Sequence, residues 1–63
     1  MPQLKFFKRR YFIIRTVDPV EIIDERIIES NTPGKDAIQW FESSGLNLDN
    51  FTLAVEVVYA RGA

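Results

Sequence analysis

One short helix, set between segments with the residue pattern of strands, is the feature that most constrains this fold. Thr32-Pro33 predicts where the helix begins, because Thr is a good N-cap and Pro is tolerated at the first helical position. From Pro33 to Ser44, apolar residues recur on one side, and Gly45 then supplies a left-handed C-terminal cap. The apolar side contains Ala37, Ile38, Trp40 and Phe41. The flanking segments must bury their own apolar residues against this helix, which favours a small sheet with the helix on it.

Two other segments are predicted to be strands. The run FTLAVEVVYA, residues 51–60, alternates large apolar residues with smaller or polar ones, which is typical of a strand with one buried face. The run YFIIRTV, residues 11–17, has aromatic and β-branched residues on both sides and therefore predicts a central strand. Basic residues interrupt the pattern just before it, and we expect a bulge or bend at residues 8–10.

The segment VEIIDERIIES, residues 20–30, fits either a helix or a strand. As a helix it would have Asp18 as N-cap, Pro19 at the first position and Glu21 completing a capping box. Five β-branched residues among residues 20–28 disfavour a helix. The polar triplet Asp24-Glu25-Arg26 is typical of an edge strand, where charges discourage unwanted pairing. We therefore predict an edge strand.

The order of these elements predicts one α+β domain spanning residues 1–63, with the order ββαβ. The first two strands form a hairpin, and the helical crossover lets the third strand lie antiparallel beside the first. The expected fold is a three-stranded antiparallel sheet in the order 2-1-3 with the helix packed on one face. The other face is uncovered, and its apolar residues are expected to come from Phe7, Tyr11, Ile13, Val17, Ala54 and Val58.

Residue types exclude much chemistry. The chain has no Cys and no His, so the usual zinc ligands and two common nucleophile and base residues are missing. A three-stranded sheet with one helix also offers little concavity for a small-molecule substrate. Paired carboxylates such as Glu25 and Glu29 are better explained as the charged edge of a strand. We expect a protein that is not an enzyme and needs no cofactor or metal.

No apolar run approaches the length of a membrane span, and the basic N-terminal residues are not followed by the apolar region of a signal peptide. The sequence therefore predicts a cytoplasmic protein without a membrane segment.

The charges are divided unevenly along the chain. Residues 1–17 carry a net charge of +5 and residues 18–63 a net charge of −6. The run KFFKRRYF, residues 5–12, contains four cations, which can neutralise phosphates, interspersed with four aromatic rings, on which bases can stack. Some sheets bind RNA or DNA in this way. This alternative function assigns nucleic-acid binding to Lys5, Lys8, Arg9, Arg10, Tyr11 and Arg15. The competing and favoured interpretation is that the cations pair across the hairpin with Glu21, Asp24, Glu25 and Glu29.

The sequence thus predicts a non-enzymatic protein–protein interaction module that acts through an open sheet face or an edge strand. Its partner is another protein or a second copy of the chain, and a homodimer is expected. The residues assigned to this contact are Phe7, Tyr11, Ile13, Trp40 and Val58. Small size and simple chemistry also suit an accessory or inhibitory protein of a phage or mobile element.

Overall fold

A computed structural model describes residues 6–57 of the 63-residue chain. Its elements in chain order are β1 (Phe7–Arg15), β2 (Glu21–Ser30), α1 (Pro33–Ser43) and β3 (Phe51–Val55). The strands form one antiparallel sheet in the order β2-β1-β3. The predicted ββαβ order and α+β class are confirmed, and the segment that could have been a helix is the edge strand β2. Val58 lies outside the described residues.

The hairpin of β1 and β2 is regular where a distortion was expected. Pairing runs without interruption from Phe7 opposite Ser30 to Ile13 opposite Asp24, so the bulge predicted at residues 8–10 is wrong. The register shifts instead at the next position, where Ile14 lies opposite Ile22. The cations fit a regular strand because their side chains are exposed, and solvent lies beside them on both faces.

The helix covers the face of the sheet that bears Tyr11 and Ile13. These two side chains are 8% and 1% exposed, and with Ala37 and Phe41 of α1 they form the buried apolar core of the described residues. The prediction that Tyr11 and Ile13 lie on the uncovered face is therefore wrong. The reason is the register, since Ile13 lies opposite Leu53 and shares a face with the large apolar residues of β3.

The ends of α1 lie close to the predicted positions. The Asp36 N–H donates to the Thr32 carbonyl at 3.1 Å, which makes Thr32 the N-cap residue. Its side chain makes no capping hydrogen bond, and its own N–H is instead held by the Ser30 hydroxyl at 2.9 Å. At the other end, Gly45 has a φ of 70°, the left-handed conformation that the sequence predicted.

Candidate interaction surfaces

The face opposite α1 is uncovered, and we call it the open face. Side chains alternate along a strand, so the even-numbered residues of β1 and their partners on β2 and β3 point to this side. Its apolar part consists of Phe12, Ile14, Ile22, Ile27 and Ala54. Ile22 and Ile27 are 57% and 52% exposed, whereas Phe12 and Ile14 are half-buried by their neighbours in the sheet. Of these residues the sequence singled out only Ala54, because it assigned the odd-numbered residues of the first strand to the uncovered side.

One end of the open face carries a charge network centred on Arg10. The Arg10 guanidinium lies 3.7 Å from a carboxylate oxygen of Glu25 and 3.6 Å from one of Glu56. All three side chains are partly exposed, so each pair stabilises the fold by no more than about 1 kcal/mol. The network leaves Arg10 with little attraction for phosphate. Glu56 directly follows β3, and its place beside Arg10 depends on the register of β3 against β1, which the sequence analysis did not predict.

A second cation is also paired across the hairpin. The Arg15 guanidinium lies 3.4 Å from a carboxylate oxygen of Glu21, on the same face as α1. Of the cations proposed to bind nucleic acid, Arg10 and Arg15 therefore follow the favoured interpretation, in which they neutralise acids of this chain. Tyr11 is buried in the core and offers no ring face for a base to stack on.

Lys8 and Arg9 behave differently from the paired cations. Among residues 6–57, no carboxylate lies within 4.0 Å of either side-chain charge. The Arg9 guanidinium stands 5.3 Å from the centre of the exposed Phe7 ring and donates to the Lys8 carbonyl at 3.1 Å. A shallow cavity of about 420 Å³ adjoins this end of the sheet. Its lining residues are Lys8, Arg9, Arg10, Val55, Glu56 and Val57. Lys5 lies outside the described residues.

The free edge of β2 is the third surface. Asp24, Glu25 and Arg26 are all exposed there, and the Asp24 carboxylate accepts the Glu25 backbone N–H at 2.9 Å. Trp40, which the sequence proposed as a contact residue, lies half-buried on α1 above this part of the sheet. The Arg26 guanidinium is 5.8 Å from the centre of the Trp40 ring. Trp40 and the charged edge therefore belong to one continuous region.

Within residues 6–57, no group of three or more acidic side chains is arranged to hold a metal ion, and every buried side-chain polar atom has a hydrogen-bond partner. The same residues contain no helix with the length and apolar character needed to cross a bilayer. A scan against protein-family models and searches of curated proteins and of solved structures give no match.

Proposed function

We propose that this chain is a non-enzymatic protein-interaction module whose contact surface is the open face. The observation that supports this is the exposure of Ile22 and Ile27 beside Phe12 and Ile14, on a sheet that α1 covers on one side only. Water contact with such side chains is unfavourable by about 25 cal/mol for each Å² of apolar surface. A partner that covers the face removes this cost.

The charge network suits the same role. Arg10 lies between Glu25 and Glu56, so its charge is already paired with carboxylates of the same chain. A partner that covers Arg10 therefore does not desolvate an unpaired charge there. An apolar centre with a polar border is the usual arrangement of a protein–protein interface. We therefore expect the partner to be apolar where it meets Ile14 and polar where it meets Arg10.

The proposal is tested with Ile14→Lys, which places a charge in the centre of the open face. A matched control is Ile38→Lys, because Ile38 is 52% exposed on α1 and away from that face. Tagged wild type and both variants are expressed in the cells that make the protein, and co-purified proteins are quantified by mass spectrometry. In parallel, sedimentation velocity of each purified protein measures self-association, and circular dichroism checks that each variant folds.

We expect one association, with the chain itself or with another protein, that wild type and Ile38→Lys share and that a folded Ile14→Lys loses. If the two variants retain the same associations as wild type, the open face is not the contact surface.

A second function is favoured by one specific observation. Lys8 and Arg9 have no carboxylate within 4.0 Å in the described part of the chain, and Arg9 lies over the exposed ring of Phe7. Cations beside an exposed ring can bind single-stranded RNA or DNA, with the phosphates on the cations and a base on the ring. This alternative places nucleic acid at the start of β1, where Phe7, Lys8 and Arg9 are exposed.

The test of this alternative is fluorescence anisotropy with labelled single-stranded RNA and DNA at low and at physiological salt. The double variant Lys8→Gln/Arg9→Gln should weaken binding and reduce the salt slope by about two phosphates, whereas Arg10→Gln should change both much less. Equal losses in the two variants would contradict the division into free and paired cations. No binding by wild type at low salt would exclude this function.

A further inference from the structure

We propose that a second copy of this chain pairs with the edge of β2, antiparallel and about a two-fold axis beside Glu25. This inference rests on the proposed function, because it names one partner of the same module and joins two open faces into a larger one. The pairing would extend the sheet from three strands to six.

The central residues of β2, 23–27, are self-complementary in the antiparallel sense. Residues 21–29 read EIIDERIIE, which is the same in both directions except that Asp24 exchanges with Arg26. Pairing about Glu25 therefore places Asp24 opposite the partner's Arg26, and by symmetry Arg26 opposite the partner's Asp24. The exposed Ile23 and Ile27 meet across the same axis. Opposite charges and paired β-branched residues on facing positions both stabilise antiparallel strands.

The backbone of β2 presents the groups that this pairing requires. The Arg10 carbonyl accepts the Glu56 N–H at 2.8 Å, so the even-numbered residues of β1 point toward β3 and its odd-numbered residues toward β2. Tyr11 lies opposite Arg26, which directs the N–H and C=O groups of Arg26 inward and those of Glu25 and Ile27 to the free edge. The Glu25 N–H accordingly bonds to the Asp24 carboxylate and not to a strand.

An axis beside Glu25 brings two outward-facing N–H and C=O pairs together, which is the geometry of a hydrogen-bonded antiparallel pair. In the dimer, the Asp24 carboxylate releases the Glu25 N–H of its own chain and pairs with the partner's Arg26. Ile23 is available for the contact, since the register shift leaves it without a partner in β1. No hydrogen bond of the existing hairpin has to break.

The charges on β2 favour pairing with a second copy of this chain over pairing with an unrelated strand. An unrelated strand that pairs with this edge would leave Asp24, Glu25 and Arg26 opposite apolar or mismatched groups, which disfavours binding. The copy offers Arg26 to Asp24 at two symmetric positions. The two Glu25 side chains meet at the axis, but each already lies 3.7 Å from Arg10 of its own chain, which offsets their repulsion.

Edge pairing also brings the area of the open face closer to that of a standard interface. The three strands, of 9, 10 and 5 residues, present roughly 400 Å² on one side, from a strand spacing of about 4.8 Å and a rise of about 3.3 Å. A standard interface buries about 800 Å² on each partner. Edge pairing about a two-fold axis perpendicular to the sheet keeps both open faces on one side, so the surface available to a further partner doubles.

The test is a charge exchange inside the self-complementary segment. Asp24→Arg places Arg opposite Arg at both symmetric positions, and Arg26→Asp places Asp opposite Asp. The double variant Asp24→Arg/Arg26→Asp restores opposite charges across the axis while keeping both mutated side chains. Sedimentation equilibrium measures the dimer dissociation constant of the four proteins, and circular dichroism confirms that each one folds.

We expect each single variant to weaken the dimer by about tenfold or more and the double variant to recover most of that loss. A separate backbone probe is Glu25→Pro, which removes an outward-facing N–H without removing a hydrogen bond to β1, and which should abolish the dimer. Ile14→Lys should leave it intact, because that residue lies on the central strand.

Several results would overturn edge pairing: a wild type that is monomeric, a double variant that does not recover, or a dimer that tolerates Glu25→Pro. A dimer that is lost in Ile14→Lys but kept in the charge variants would show face-to-face association, which overturns this inference and leaves the proposed function standing. If wild type has no partner that Ile14→Lys loses, the proposed function fails by its own test, whatever the charge variants show.

Discussion

The assignment of the two sheet faces predicts very different costs for neighbouring isoleucines. Ile13 is 1% exposed beneath α1, and Ile14 is half-buried on the open face. Ile13→Ala removes a fully buried side chain and leaves a cavity, which should cost about 2–5 kcal/mol. Ile14→Ala removes a side chain that already contacts water, so about 1 kcal/mol is expected.

These costs are large for a chain of this size. At roughly 0.05–0.15 kcal/mol per residue, 63 residues have a free energy of unfolding of about 3–9 kcal/mol. Ile13→Ala should therefore bring the protein close to its unfolding threshold, whereas Ile14→Ala should remain well folded. The comparison uses residues of one type, adjacent on one strand, so strand propensity cancels between them.

Urea unfolding, followed by circular dichroism at one protein concentration, measures both variants. With a slope of about 1 kcal/mol per M for a small domain, Ile13→Ala should lower the midpoint by at least about 2 M and Ile14→Ala by about 1 M. A larger loss for Ile14→Ala than for Ile13→Ala would refute the face assignment, and the proposed contact surface would then be the wrong side of the sheet.

Three other variants test single features of the structure. Gly45→Ala should lower the free energy of unfolding by about 1 kcal/mol, because φ is 70° there and an added Cβ meets no atom within 4 Å, so the cost is conformational alone. Gly34→Ala is equally unobstructed but lies in the helix without a positive φ, and it should raise the free energy of unfolding by up to about 1 kcal/mol. Thermal unfolding measures both variants. Arg10→Gln should cost less than about 1 kcal/mol, and the cost should shrink at high salt because its partners are exposed; an unchanged cost in 1 M salt would contradict this. Glu25→Gln should tighten the β2-edge dimer by removing the like charges at its axis, and a weaker dimer in sedimentation would count against that axis.

The order of the elements could be predicted because local chemistry marks it. Thr32-Pro33 and Gly45 bound the helix through restrictions on backbone conformation that do not depend on the rest of the fold. In β2, β-branched residues outweighed a plausible capping box, because a cap stabilises only the end of a helix while propensity acts at every position.

The faces of the sheet could not be predicted in the same way. Residues 11–14 are all apolar, so alternation in β1 does not say which set faces the helix. That choice depends on the register with β3, where Leu53 lies opposite Ile13. A register is a long-range property, and a difference of one residue exchanges the buried and exposed sets.

The candidate surfaces also depend partly on local sequence and partly on the register of the strands. The absence of the usual zinc ligands followed from composition, and the predicted hairpin led to the expectation that Arg10 and Arg15 pair with acids of β2, as they do with Glu25 and Glu21. The contact of Arg10 with Glu56 required the third strand. Ile22 lies on the open face because of the register shift beside it, whereas the sequence predicted an irregularity at residues 8–10 of β1.

Site-specific photo-crosslinking in the cells that make the protein tests the central claim most directly. A photoreactive residue replaces Ile14 on the open face, which lies on the central strand and away from the β2 edge, or Ile38 on α1. The proposed function predicts a defined adduct from position 14, with a second copy of the chain or with one other protein, and none from position 38. No adduct from position 14, or the same adducts from both positions, would contradict the assignment of the open face as the contact surface.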